Sequence, residues 1–285
     1  MASQAQSSGR LQHDGSPTPR YLSRRWLTGL AAAWAVLILV LAIIARDGDV
    51  TVQTQRNAAE VRPSVDRAVA DIVTAAGPEV ALTVSPYRFD GSCRISLVRR
   101  GVFYERLLRL YTPPGEEQAL LERIVDRLPD RYAARLRTGE EQLHVFADAD
   151  ELVTVGGDTW PGSGRIEFSI HTGCRPVEQP IVTFYPRPDP EVRARLDDLL
   201  AAADGTVAAW RTAAVPCPDG LRWALEVTAE QRFDSLTGFA ESRPEGATVV
   251  ISEDDLLVYQ DGPYSITVSL REGTLTATAT PRCDG

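Results

Sequence analysis

GRIEFSIHTGC, residues 164–174, and GTLTATATPRC, residues 273–283, are the stretches from which the fold of this chain is read. Each begins with glycine, places apolar groups at its third, fifth and seventh positions, and ends in cysteine. A period of two is that of a half-buried strand, so Ile166, Phe168 and Ile170 face one way while Arg165, Glu167, Ser169 and His171 face the other. Working back from each stretch, a helical pattern recurs at the same relative place. Pro63, Val65 and Ile72 have the spacing of Pro190, Val192 and Leu199, and proline suits a first helical turn. The repeated order predicts an α+β fold of two related antiparallel-sheet units, each opened by a helix. The units occupy residues 61–174 and 189–285, with the Pro-rich residues 175–188 as a linker.

The cysteines belong to the same scheme. Cys93, Cys174, Cys217 and Cys283 are widely spaced and form no CxxC pair, and the three histidines are scattered, so neither a metal site nor a cofactor is expected. Four cysteines allow three disulfide pairings. The repeat selects Cys93–Cys174 and Cys217–Cys283, each a structural staple from an early strand to the last strand of its own unit.

Inside the first unit the periodicity predicts helices over 63–76 and 116–128. Strands are expected at 80–84, 94–98, 102–111, 142–147, 152–155 and 165–171, with a turn at 90–92. The second unit reads as a helix over 189–203 and strands at 221–228, 249–251, 264–270 and 274–280. Residues 231–247 read as a helical turn or an irregular crossing.

Outside the units lies WLTGLAAAWAVLILVLAIIA, residues 26–45, twenty residues without a charge. At 1.5 Å per residue a helix of that length matches the ~30 Å hydrocarbon core of a bilayer. Arg10, Arg20, Arg24 and Arg25 precede it, and Asp47 and Asp49 follow Arg46, which keeps the basic end cytoplasmic. A cleaved signal peptide fits less well, because Ile43 is bulky where a cleavage site needs a small residue. A twin-arginine signal matches only at Arg24 and Arg25. The expected topology is a disordered cytoplasmic tail at 1–25, a transmembrane signal-anchor at 26–45, an extracytoplasmic tether at 46–60, and the two units beyond the membrane.

Composition narrows the chemistry. All 30 basic residues are arginine, which with abundant Ala, Gly and Pro points to a bacterial source, and the lack of lysine rules out Walker A, Schiff-base and Ser/Lys mechanisms. Beyond residue 45 there are 26 Arg against 38 Asp and Glu, a formal net charge of −12, so nucleic acid is not an expected partner. No GxSxG elbow is present. His144 and His171 with Glu167 could meet on a sheet, and the acidic runs at 148–151 and 253–255 lack EF-hand spacing; outward polarity accounts for both. Aromatic residues near turns are the binding candidates: Trp160 in a Gly-rich loop, with Tyr259 and Tyr264 flanking the corresponding connection of the second unit. The functional expectation is a single-pass, non-catalytic binding or scaffold protein of the bacterial cell envelope, with an envelope or membrane protein as partner. The alternatives are a sensor ectodomain working through a membrane partner and an envelope hydrolase.

Overall fold

The computed structural model describes residues 24–47, 56–96, 99–139, 141–176, 181 and 186–283. All but the last two residues of the expected tail, most of the expected tether and most of the Pro-rich linker lie outside the described residues; Arg24 and Arg25 begin the first helix. The chain divides into two compact units, residues 1–51 and 52–285. In the first, α1 (Arg24–Asp47) runs continuously through the uncharged stretch, and its described side chains, Trp26 and residues 28–41, are exposed. Among the described residues no helix is long and apolar enough to cross a membrane.

The second unit is α+β with two antiparallel sheets. Its elements in chain order are α2 (Ala58–Ala76), β1 (Ala81–Val84), β2 (Arg88–Arg94), β3 (Arg100–Tyr111), α3 (Glu117–Arg127), β4 (Arg135–Thr138), β5 (Leu143–Asp148), β6 (Thr154–Thr159), β7 (Arg165–His171) and β8 (Arg175–Pro176). They continue with α4 (Pro190–Ala201), β9 (Val207–Cys217), β10 (Gly220–Arg232), α5 (Thr237–Glu241), β11 (Thr248–Ser252), β12 (Leu256–Asp261), β13 (Tyr264–Arg271) and β14 (Thr274–Pro281). The first sheet runs β1-β3-β7-β6-β5-β4, with β2 and β8 also paired to β3, and the second runs β11-β12-β13-β14-β10-β9.

β1 and β2 pair successively along β3, at residues 108–111 and 100–105, so together they take the place that β9 has beside β10. Pro86 lies in the break between them. With β1 and β2 counted as one strand and the two-residue β8 set aside, each half runs helix, two strands, helix, four strands. The strand order across each sheet is then first, second, sixth, fifth, fourth, third. The two motif glycines have one job: Gly164 and Gly273 both have φ in the left-handed region, at 63° and 78°, where they turn the chain into β7 and β14.

Several boundaries differ from the sequence expectation. α2 starts at Ala58 rather than near Pro63, because Asn57 caps it in a capping box: the backbone N–H of Glu60 donates to Asn57 Oδ1 and that of Asn57 to Glu60 Oε2. Residues 58–60 are therefore helix and not tether. The expected turn at 90–92 lies within β2, where Gly91, at φ 147°, carries a register shift in the pairing with β3. β4, β8, β9 and β12 have no counterpart among the expected strands.

α2 and α3 cover one face of the first sheet, and α4 and α5 cover one face of the second. Ala213, Val215, Cys217, Ala224 and Cys283 of the second half join the core beneath α2. Ala81 and Tyr111 pack on Ile251, Leu256 and Val258 to seal a separate apolar contact between the sheets. The halves therefore share their interior, and part of each helix-free sheet face is left bordering a common space.

Candidate binding cleft

That space is a cleft of about 800 Å³. Its first wall is built on cross-strand neighbours of the first sheet, which set Asp158, Glu167, Arg109 and Thr83 in one row across four strands, with His144 next in register beyond the lining. Arg109 Nε donates to Glu167 Oε2 at 2.6 Å, and Asp158 lies 2.5 Å from His144 Nδ1. The facing wall comes from β9, β10, β13 and β14. There Thr267 stands opposite Thr278 and Ser269 opposite Thr276, while Arg211 Nε pairs with Glu226 at 2.9 Å. Arg165 closes one side by pairing across the halves with Glu253 and, at 3.0 Å, with Asp255. The cleft thus mixes polar and apolar surface, and three of its four lining arginines, Arg109, Arg165 and Arg211, are ion-paired in place.

Trp160 lines this cleft and remains 57% exposed. Its loop is held by Glu117, in the first turn of α3, whose buried carboxylate accepts hydrogen bonds from the backbone N–H groups of Gly115, at 3.0 Å, and Gly164. A Cβ at Gly164 would lie 2.7 Å from Thr112 O and 2.8 Å from Ile251 Cδ1, so only glycine lets the chain pass here. Trp160 is the one aromatic candidate placed at the cleft. Tyr259 is 2% exposed beneath α4, where burial pushes its phenol up to about 12. Tyr264 packs against the same core with the Arg195 guanidinium over its ring. The three residues do not form one surface.

The other polar candidates are also separated. His144 and His171 lie on β5 and β7 with β6 between them. His171 Nε2 is 2.7 Å from Ser169 Oγ and its Nδ1 is 3.8 Å from Asp90, an order that looks like a nucleophile, a base and its orienting acid. Ser169 Oγ, however, donates its proton to Glu105 Oε1 at 2.6 Å, leaving His171 to act as the donor and removing the base from the serine. In the acidic run at 148–151, Glu151 pairs with Arg56 at 2.8 Å, and Asp150 and Glu151 sit in a left-handed turn. Among the described residues no group of three His, Cys, Asp or Glu could hold a metal ion.

The disulfides are Cys93–Cys174 and Cys217–Cys283, the pairing read from the repeat, and no cysteine is free. Each joins the hairpin that opens a sheet to the residue beyond its last long strand. No protein-family model, curated protein or solved structure matches the chain.

Glu117 and Glu105 connect the site to pH. Burial alone would raise both carboxyls, but backbone N–H groups, Gly164 first, hold Glu117 below its usual range, and Ser169 and Arg88 do the same for Glu105. A carboxyl depressed in the folded state contributes stability above its unfolded pKa of about 4.3, and that contribution is lost as pH falls through the folded value. Glu117→Gln is therefore expected to lower the denaturation midpoint at pH 7 and to converge on the wild type in acid. A difference that stays constant from pH 7 to about pH 3 would remove Glu117 from this role.

Proposed function

We propose that the chain is a single-pass, membrane-anchored, extracytoplasmic binding protein of the bacterial cell envelope, non-catalytic, which offers the inter-sheet cleft to an envelope component. The observation that carries this reading is the cleft itself: a preformed concave site within the ~300–1,000 Å³ range of small-molecule pockets, with a solvent-exposed indole at its edge. Sequence expectation looked to an envelope protein reached through three aromatics; with Trp160 alone at the cleft, the ligand is better sought inside it.

Two further observations support the placement. Four cysteines in two disulfides suit an oxidising compartment. The residues of α1 from 26 to 45 carry no charge, and its described large apolar side chains are exposed, which in water is unfavourable and in a bilayer is not. The shared strand order, the two motif glycines and the matching staples support descent of the halves from one duplicated unit.

A reporter that works only after export, fused beyond Gly285, should be active, and the mature protein should stay in the membrane fraction with residues 26–45 intact. Deleting residues 1–45 while supplying a cleavable signal should release it. A mature N-terminus at Arg46, or a cytoplasmic C-terminus, would sink the anchored reading. Capture from gently solubilised membranes should recover a component whose retention falls in Trp160→Ala, at unchanged thermal stability because the ring is largely solvated.

A further inference from the structure

We infer that the ligand of the cleft is a neutral polyhydroxylated molecule of the carbohydrate class, an inference that rests on the binding reading above. Thr267 is the first reason. It is 5% exposed and lines the cleft, yet its Oγ1 has no hydrogen-bond partner among the described residues. Burying a hydroxyl unpaired is costly, and a ligand carrying both donors and acceptors would relieve that cost. Ser269, Thr276 and Thr278 stand beside it on β13 and β14, so this wall offers a patch of hydroxyls, each able to donate or accept.

Charge supplies the second reason. Arg109 with Glu167, Arg211 with Glu226, and Arg165 with Glu253 and Asp255 are already committed to one another. The remaining arginine of the lining, Arg271, is solvent-exposed, and an ionic ligand at the other three would have to break a pair to make its own. A neutral ligand need not. It can use the carboxylate lone pairs and guanidinium N–H groups that a single ion pair leaves over. The exposed indole of Trp160 adds an apolar plane on which the C–H face of a pyranose ring can lie, with Nε1–H free to meet a hydroxyl.

A peptide fits these walls less well. Peptides commonly gain affinity by adding a strand to a sheet edge. The strands β7, β13 and β14 are internal to their sheets; of the edge strands that reach the cleft, β1 gives way to Ser85 and Pro86, and β9 is buried from Thr212 onward with its Ala214 carbonyl taken by Arg106.

The test is calorimetric titration of the full-length protein in a non-glycosidic detergent with maltohexaose, cellohexaose and chitohexaose, alongside a random peptide mixture. At least one neutral oligosaccharide should bind and perturb tryptophan fluorescence in the wild type, with the perturbation reduced in Trp160→Ala. Thr267→Val should weaken it roughly tenfold, the worth of one hydrogen bond at the upper end, while thermal stability stays level or rises, because the hydroxyl has nothing to lose in the free protein. Thr278→Val repeats the measurement one strand over. Failure of all three oligosaccharides at millimolar concentration overturns the inference, as does binding indifferent to all three substitutions. Binding of the peptide mixture alone, lost in Trp160→Ala, also overturns it but leaves the cleft as the binding site, whereas indifference of every bound probe to the three substitutions removes the cleft itself.

Discussion

Replacing both cysteines of either disulfide by alanine is expected to cost about 4 kcal/mol of unfolding free energy, and removing both pairs should leave little folded protein at 37 °C. The bridges join residues separated by 81 and 66 positions, for which loop-closure entropy in the unfolded chain gives roughly 4–5 kcal/mol each. Against a typical net stability of about 5–15 kcal/mol, two such losses are decisive. Cys217 and Cys283 are also buried in the core beneath α2, so their loss opens packing between the halves as well as a loop constraint. The other bridge is fitted to its neighbour: Gly101 lies opposite Cys93, and a Cβ there would come within 2.8 Å of Cys174 Sγ. Urea denaturation of the two double-alanine variants and of the wild type measures these effects. A loss below about 1 kcal/mol for both pairs would mean that the unfolded chain is already constrained by other means.

How far these features could be read in advance depended on how many faces of an element are buried. β7 and β14 were legible because one face meets helices and the other meets polar surroundings, which leaves a clean period of two. β12 was not, because Leu257 and Tyr259 enter the helix-side core while Leu256 and Val258 enter the contact between sheets, giving the run LLVY no alternation. β9 failed for a related reason. Its residues 212–217 are buried on both faces, and Ala213 and Ala214 blur any pattern. Tyr264 could have been placed correctly from β13 alone: Ile266 and Val268 define the core face, and Tyr264 is in phase with them. The cleft was out of reach, since its walls are polar faces of separate sheets and nothing local records that the faces meet. Only Trp160, a large aromatic in a loop of glycine, proline and serine, signalled it.

Arg106→Met is the second substitution expected to act on the whole molecule, with a loss of about 3–5 kcal/mol, the range for breaking one side of a buried ion pair. Arg106 is 1% exposed and points to the helix side of the first sheet, a direction reserved by its neighbours Leu108 and Leu110 for apolar groups. Its guanidinium bonds to Asp66 on α2 and to the carbonyl of Ala214 on β9, and Nε donates to the carbonyl of Ser85 at 3.2 Å. The Tyr87 ring lies under it at 5.0 Å, and the Tyr87 hydroxyl donates to Asp66 at 2.7 Å. One side chain therefore ties the opening helix, the break between β1 and β2, and the first strand of the second half. Methionine would fill much of the volume but leave both carbonyls without this donor and Asp66 with only Arg62, 3.4 Å away, as a charge partner. Lysine would keep the charge and lose the planar fork, so Arg106→Lys should recover only part of the deficit. A double-mutant cycle with Asp66→Asn separates the ion pair from the rest: the two losses should be less than additive, because each removes the same pair, while the Ala214 contact is lost only with Arg106. Chemical denaturation with both disulfides intact is the measurement. A loss under about 1 kcal/mol for Arg106→Met would show that this arginine does not join the halves, and strict additivity in the cycle would show that its pair with Asp66 contributes nothing.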